Sequence, residues 1–183
     1  MKTLMTAAVF ALFAFAGSAK ADLPNLTGNK PTTGKKVTTS ELGDALEDAG
    51  YSPKAVKNKD KKVIGYEVEV KRGDTTITVY MYAAEGNRNL WLEVNMITLD
   101  EKNPPTQELL LAFLGTHDQL WPAYLVYYPK TKMVQMAMSM SADGFNSKAL
   151  KGNLDKMMDK FLIVADVFKK VKTAEENAQK YKD

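Results

Sequence analysis

The first clear periodicity along the chain is helical. Thr38 is followed three residues later by Glu41, a capping box, and Val37 and Leu42 stand where a hydrophobic staple would place them. Leu42, Ala45, Leu46 and Ala49 then recur at helical spacing before Gly50. This predicts one short amphipathic helix, ended by a left-handed residue at Gly50. Its acidic residues Glu41, Asp44, Glu47 and Asp48 read as a solvated outer face.

From Val63 the period changes to two. Ile64, Tyr66, Val68 and Val70 alternate with Val63, Gly65, Glu67 and Glu69, which predicts a half-buried strand. A turn at 71–74 leads to a second strand over 75–82, with Ile77, Val79 and Met81 opposite Thr76, Thr78, Tyr80 and Tyr82. A turn at Glu85, Gly86 and Asn87 leads to a third strand over 89–99. Its inner face is Leu90, Leu92, Val94 and Met96, and its outer face carries Trp91, Glu93, Asn95 and Ile97. Three such runs on short loops predict an antiparallel meander.

The two prolines of 100–105 introduce a second helix, whose apolar face is expected to hold Leu109, Leu110, Phe113 and Leu114, with Leu120 further on. Pro122 stops it by disfavouring the helical region at Trp121. A hairpin follows, 123–128 and 133–140 around the turn 129–132. Last comes a long helix on Leu150, Leu154, Met157, Phe161, Val164, Phe168 and Val171, with Met158, Leu162 and Ala165 widening the stripe. Both a coiled-coil seam and an ordinary helix on a sheet satisfy that spacing. The breadth of the stripe and its three heptads favour the ordinary helix. Gly152 and Asn153 mark a kink or the true start, and the polar 173–183 is expected as a frayed extension.

Composition adds a location and several exclusions. Met1 and Lys2, an apolar block from Leu4 to Ala16, and small residues at Ala19 and Ala21 read as a secretory signal peptide over 1–21, cleaved after Ala21. The protein is thus expected in the periplasm or secreted, with no stable membrane anchor after cleavage. Residues 22–36, rich in Pro, Gly, Thr, Asn and Lys, read as a flexible leader, and 37–172 as a single α+β domain. The signal peptide removes Lys2 and Lys20 and no acid, so the formal charge of +3 falls to +1. Such a balance argues against nucleic acid as a partner. Cysteine is absent, which excludes thiol catalysis, thiolate metal sites and disulfides.

The order of elements and the stretch ELLLAFLGTHDQLWPAYLVYYPKTKMVQM, Glu108 to Met136, resemble YbjN-like proteins and the class I chaperones of type III secretion systems. The resemblance spans roughly 38–172. It implies an α+β fold of helix, three-stranded antiparallel meander, helix, two-stranded hairpin and long C-terminal helix. It also implies protein binding and frequent dimerisation, here through the sheet or the last helix, and it carries no catalytic residue. The secretion chaperones are cytoplasmic and mostly acidic, unlike this chain, so the same role does not follow from the same fold.

Three groups of residues carry candidate chemistry. His117, the single histidine, stands beside Asp118 and would have to serve any imidazole-based hydrolase. No GxSxG turn accompanies it, and the plainer reading is a polar residue near a helix end. Met136, Met138 and Met140 share one strand face, where thioethers could hold cuprous ion. Methionine more commonly fills a core, with Met157 and Met158 as partners. Trp91, Tyr80 and Tyr82 lie on the outer face of the meander. Left open they form a surface for a protein partner; covered by a helix they form a second core layer. With no Gly-rich phosphate loop in the chain, no cofactor is expected. The expected function is an exported, non-catalytic protein-binding or chaperone-like module. A periplasmic small-ligand or cuprous-ion protein is the alternative, with a hydrolase behind it.

Overall fold

The computed structural model describes residues 36–83, 88–99 and 104–180. The segments expected as signal peptide, leader and turn at 85–87, and most of the proline-bearing loop, lie outside the described residues, except for Lys36 at the end of the expected leader. The first helix, α1 (Thr39–Asp48), starts as its sequence dictates. The Thr38 amide donates to the Glu41 carboxylate at 2.8 Å and the Glu41 amide to the Thr38 hydroxyl at 3.2 Å. Val37 and Leu42 are both buried, and Gly50 takes a φ of 87°.

One six-stranded antiparallel sheet follows. It comprises β1 (Lys54–Lys57), β2 (Val63–Arg72), β3 (Thr75–Ala83), β4 (Asn89–Thr98), β5 (Tyr124–Tyr128) and β6 (Met133–Ser141), in the spatial order β1-β2-β3-β4-β6-β5. The expected meander is β2-β3-β4. Strand β1 is an addition the alternation does not announce, because KAVK is short and half charged. It is held at the edge by a turn in which the Asn58 side-chain oxygen accepts from the Asp60 and Lys62 amides, each at 3.0 Å. The hairpin docks with its second strand on β4, which leaves β5 as the far edge.

Every described helix lies on one side of this sheet. Helix α1 and the first half of α4 (Ser147–Lys180) cover the inner residues Val68, Val79, Met81, Leu92 and Met138 with Leu46, Leu150, Leu154 and Met157. Helix α4 begins ahead of Gly152 and runs unbroken through the polar residues to Lys180. Its start is capped by the Asn146 side chain, which accepts from the Ala149 amide at 2.9 Å. Arg72, at the end of β2, is bonded to the Asp159 carboxylate and ties the sheet to this helix.

The second half of α4 builds a smaller core with α2 (Gln107–Gly115) and α3 (His117–Leu120), around Leu109, Phe113, Leu120 and Val164. Here the structure corrects the sequence reading. Leu109 and Phe113 turn inward, while Leu110 and Leu114, expected beside them, are exposed. A short helix packed on one side only, against α4 and α3, buries one narrow stripe. Leu109, Phe113 and Thr116 occupy it, and the Thr116 hydroxyl is satisfied by donating to the Phe113 carbonyl at 2.7 Å.

Candidate functional site

The side of the sheet turned away from the helices carries a band of aromatic residues built by strand register. Tyr80 on β3 stands opposite Glu67 on β2 and Glu93 on β4; Glu93 in turn stands opposite Ala137 on β6, and Ala137 opposite Tyr124 on β5. The next row runs from Gly65 through Tyr82 and Trp91 to Ser139. Small residues at Ala137 and Ser139 let the flanking rings approach each other above β6. Trp91 and Tyr124 meet edge to face there, with centroids 6.5 Å apart and planes at 87°. Ala137 is buried although it lies on this side, so it forms the floor beneath its larger neighbours.

The three expected aromatics, Trp91, Tyr80 and Tyr82, are therefore brought together. None belongs to either hydrophobic core, and each is half-buried by its strand neighbours. No helix among the described residues packs over them. The sequence reading missed Tyr124 and Tyr128, which share this side by alternation along YLVYY, and the role of Glu93. Alternation alone could have revealed the tyrosines. Their position beside Trp91 depends on the strand order, which no local pattern encodes.

The electrostatics of the band are one-sided. Burial, then the Glu93 carboxylate and Tyr80, holds the Tyr82 phenol well above its ordinary range. Burial followed by Glu67 raises Tyr80, and burial followed by Glu93 raises Tyr128. Tyr124 is raised by burial, then by Tyr128 and Glu93. All four are neutral phenols at physiological pH. Burial also pushes the Glu93 carboxyl above the usual carboxylate range. At the β1 end, Lys54 lies 3.8 Å from Glu67 and 3.7 Å from Glu69. Nothing comparable reaches Glu93: among the described residues it has neither ion pair nor hydrogen bond.

A raised folded-state pKa means that the native chain holds this proton more tightly than the unfolded chain does. The charged form then opposes folding, fully above the folded pKa, and relief comes as pH falls toward the unfolded value. Glu93→Gln should accordingly raise the thermal unfolding midpoint at neutral pH. That gain should shrink in acid. A midpoint lowered at pH 7, or a difference that does not vary with pH, would contradict this assignment.

The other candidate residues lie elsewhere. His117 and Asp118 are exposed at the start of α3, away from the aromatic band. Met136, Met138 and Met140 face the core, at 0%, 0% and 6% exposure, among Met81, Met157 and Met158. The described residues contain no group of three His, Asp or Glu side chains arranged to hold a metal ion. No described helix is long and apolar enough to cross a membrane. A second apolar surface does appear, on the helix side. Leu110, Leu111, Leu114 and Trp121 are 44%, 57%, 72% and 81% exposed on α2 and just after α3.

No family model matches the chain, and none of the curated proteins matches it. Among solved structures it is similar to a chain of the ExsC-ExsE complex, at 16% identity and a TM-score of 0.44, covering 67% of this chain and 90% of that one. It is also similar to a chain of the HopA1-SchA chaperone-effector complex, at 16% identity and a TM-score of 0.42, covering 66% and 86%.

Proposed function

We propose that the protein is a non-catalytic, chaperone-like binding module that receives a segment of another protein on the open aromatic side of its sheet. One observation carries this reading: Trp91, Tyr80, Tyr82, Tyr124 and Tyr128 stand together on a sheet side that no described helix covers. Aromatic side chains give large contact area at low conformational cost, and such clusters dominate protein interfaces. The proposal rests on this surface and not on the likeness to a chaperone-effector complex. Export directed by residues 1–21 is part of the same proposal, and it places the partner in the periplasm or outside the cell.

The test is protection of an unfolding client protein from aggregation, followed by light scattering at stoichiometric ratio. The wild-type chain should suppress scattering. Trp91→Ala should lose most of that protection while remaining folded at the assay temperature, which circular dichroism checks; the edge-to-face pair itself contributes about 0.5–1.5 kcal/mol beyond the area it buries. Equal protection by the variant, or none by the wild type, would defeat the proposal.

The second surface favours a further reading, a homodimer across α2 and α3. Three exposed leucines on the short helix α2, with the exposed Trp121 just after α3, are more than scattered exposure requires. A two-fold contact would cover each patch with its copy. Light scattering coupled to size exclusion should give twice the monomer mass, and Leu111→Ser with Leu114→Ser should return the chain to monomer. A wild-type monomer at tens of micromolar, on the order expected for an obligate pair, would remove the reading.

A further inference from the structure

Glu93 is the feature of the aromatic band that protein binding in general does not explain. Its register neighbours are Tyr80 on one side and Ala137 on the other, with Tyr124 beyond Ala137. Trp91, two residues earlier on the same face of β4, meets Tyr124 edge to face. A carboxylate thus stands next to a small residue, on the sheet side that also carries Tyr80, Tyr82, Trp91 and Tyr124. Desolvation there works against its charge, and it has no cation of its own among the described residues. A sequence selected only for folding would gain by placing a neutral side chain at this position.

The charged groups around it sharpen the point. On this side of the sheet β2 carries Glu67, Glu69 and Lys71, and β1 carries Lys54, whose ammonium stands near Glu67 and Glu69. The facing groups of β3 and β5 are the neutral phenols of Tyr80, Tyr82, Tyr124 and Tyr128. The band around Glu93 is therefore negative and rich in π surface, complementary to a flat, weakly hydrated cation. Aromatic rings attract such a cation through their quadrupole, and a carboxylate pairs with a guanidinium through two parallel hydrogen bonds. An ammonium is more strongly hydrated and lacks the planar face.

We infer that the site around Glu93 takes an arginine side chain of the bound protein segment, its guanidinium against the aromatic rings and paired with the Glu93 carboxylate. This rests on the reading of the band as a protein-binding surface, and adds to it the chemistry of the residue recognised. Binding discharges the penalty carried by the unpaired carboxylate, so the selectivity for arginine and the strain in the free chain share one cause.

The experiment is selection of random heptapeptides displayed on phage against the full chain, run in parallel on wild type, Glu93→Gln and Trp91→Ala. Arginine should be enriched among peptides kept by wild type, and that enrichment should vanish with Glu93→Gln. Selected peptides remade with citrulline, the neutral isostere of arginine, should bind about tenfold more weakly to wild type and equally to Glu93→Gln. Circular dichroism of each variant confirms folding, and Glu93→Ala replaces the glutamine variant if that one does not fold. Peptides kept by wild type without arginine enrichment but lost with Trp91→Ala would overturn the arginine assignment and leave the binding surface standing. Peptides kept equally by all three chains, or none kept by wild type, would overturn both.

Discussion

Replacing Gly65 with alanine is expected to lower the free energy of unfolding by about 2–4 kcal/mol, far more than an ordinary surface substitution. The reason is space, since the strand backbone there needs no unusual angle. A Cβ on Gly65 would lie 2.2 Å from the Met81 carbonyl oxygen and 2.7 Å from a ring carbon of Tyr82. The first neighbour is backbone, so β2 and β3 would have to separate to admit one methyl group. The second is part of the aromatic band, so the same change should also disturb the tyrosine signals in near-ultraviolet circular dichroism. Denaturant titration reads the loss of stability. A change below about 0.5 kcal/mol, the usual range for neutral surface positions, would show that the strands have room to relax.

Leu154→Ala should produce a loss of similar size by a different route. Leu154 is wholly buried where α4 crosses the sheet, in the core that also holds Leu150, Met157 and Met158. Truncation leaves a cavity lined by side chains fixed on both the helix and the strands. Such sites collapse poorly, and losses of about 2–5 kcal/mol are usual. A fall of the unfolding midpoint on the order of 10 °C follows for a domain of this size. Unlike Trp91→Ala, this change should not lower client protection below the temperature at which the variant unfolds. Selective loss of protection in a folded Leu154→Ala chain would place the working surface on the helix side instead.

The parts of the fold that were legible in the sequence are those whose cause is local. Thr38 and Glu41 sit three residues apart and cap their own helix; the alternation of Val68, Val70, Ile77, Val79, Leu90 and Leu92 identifies the buried side of β2, β3 and β4. The stripe on α4 identified its packing side, although the helix changes partner halfway, from the sheet at Leu154 to α2 at Val164. Strand β1 was hidden because a four-residue edge strand carrying two lysines lacks any alternation of its own. The inward assignment of Leu110 and Leu114 failed because QELLLAFLG is apolar around most of its circumference. Its period therefore could not say which leucines face α4.

The site was legible to the same extent. Trp91, Tyr80 and Tyr82 follow from strand alternation, whereas Tyr124 reaches them only because the hairpin docks through β6 and its ring leans across the small Ala137 and Ser139. That arrangement is a property of strand order. Glu93 was visible as an outward-facing acid, and it is its burial in the assembled sheet that makes its charge unfavourable.

The one-sided placement of the helices has a consequence for how strongly the protein could hold a partner. The α2 and α3 patch lies on the helix side, and the aromatic band on the opposite side of the same sheet. A pair joined through the former would keep both copies of the latter open, facing away from the contact. A client with two suitable segments could then engage both at once, its second attachment governed by tether length and no longer by bulk concentration. Weak individual sites would suffice for long retention, and dilution of the pair into monomers would release the client.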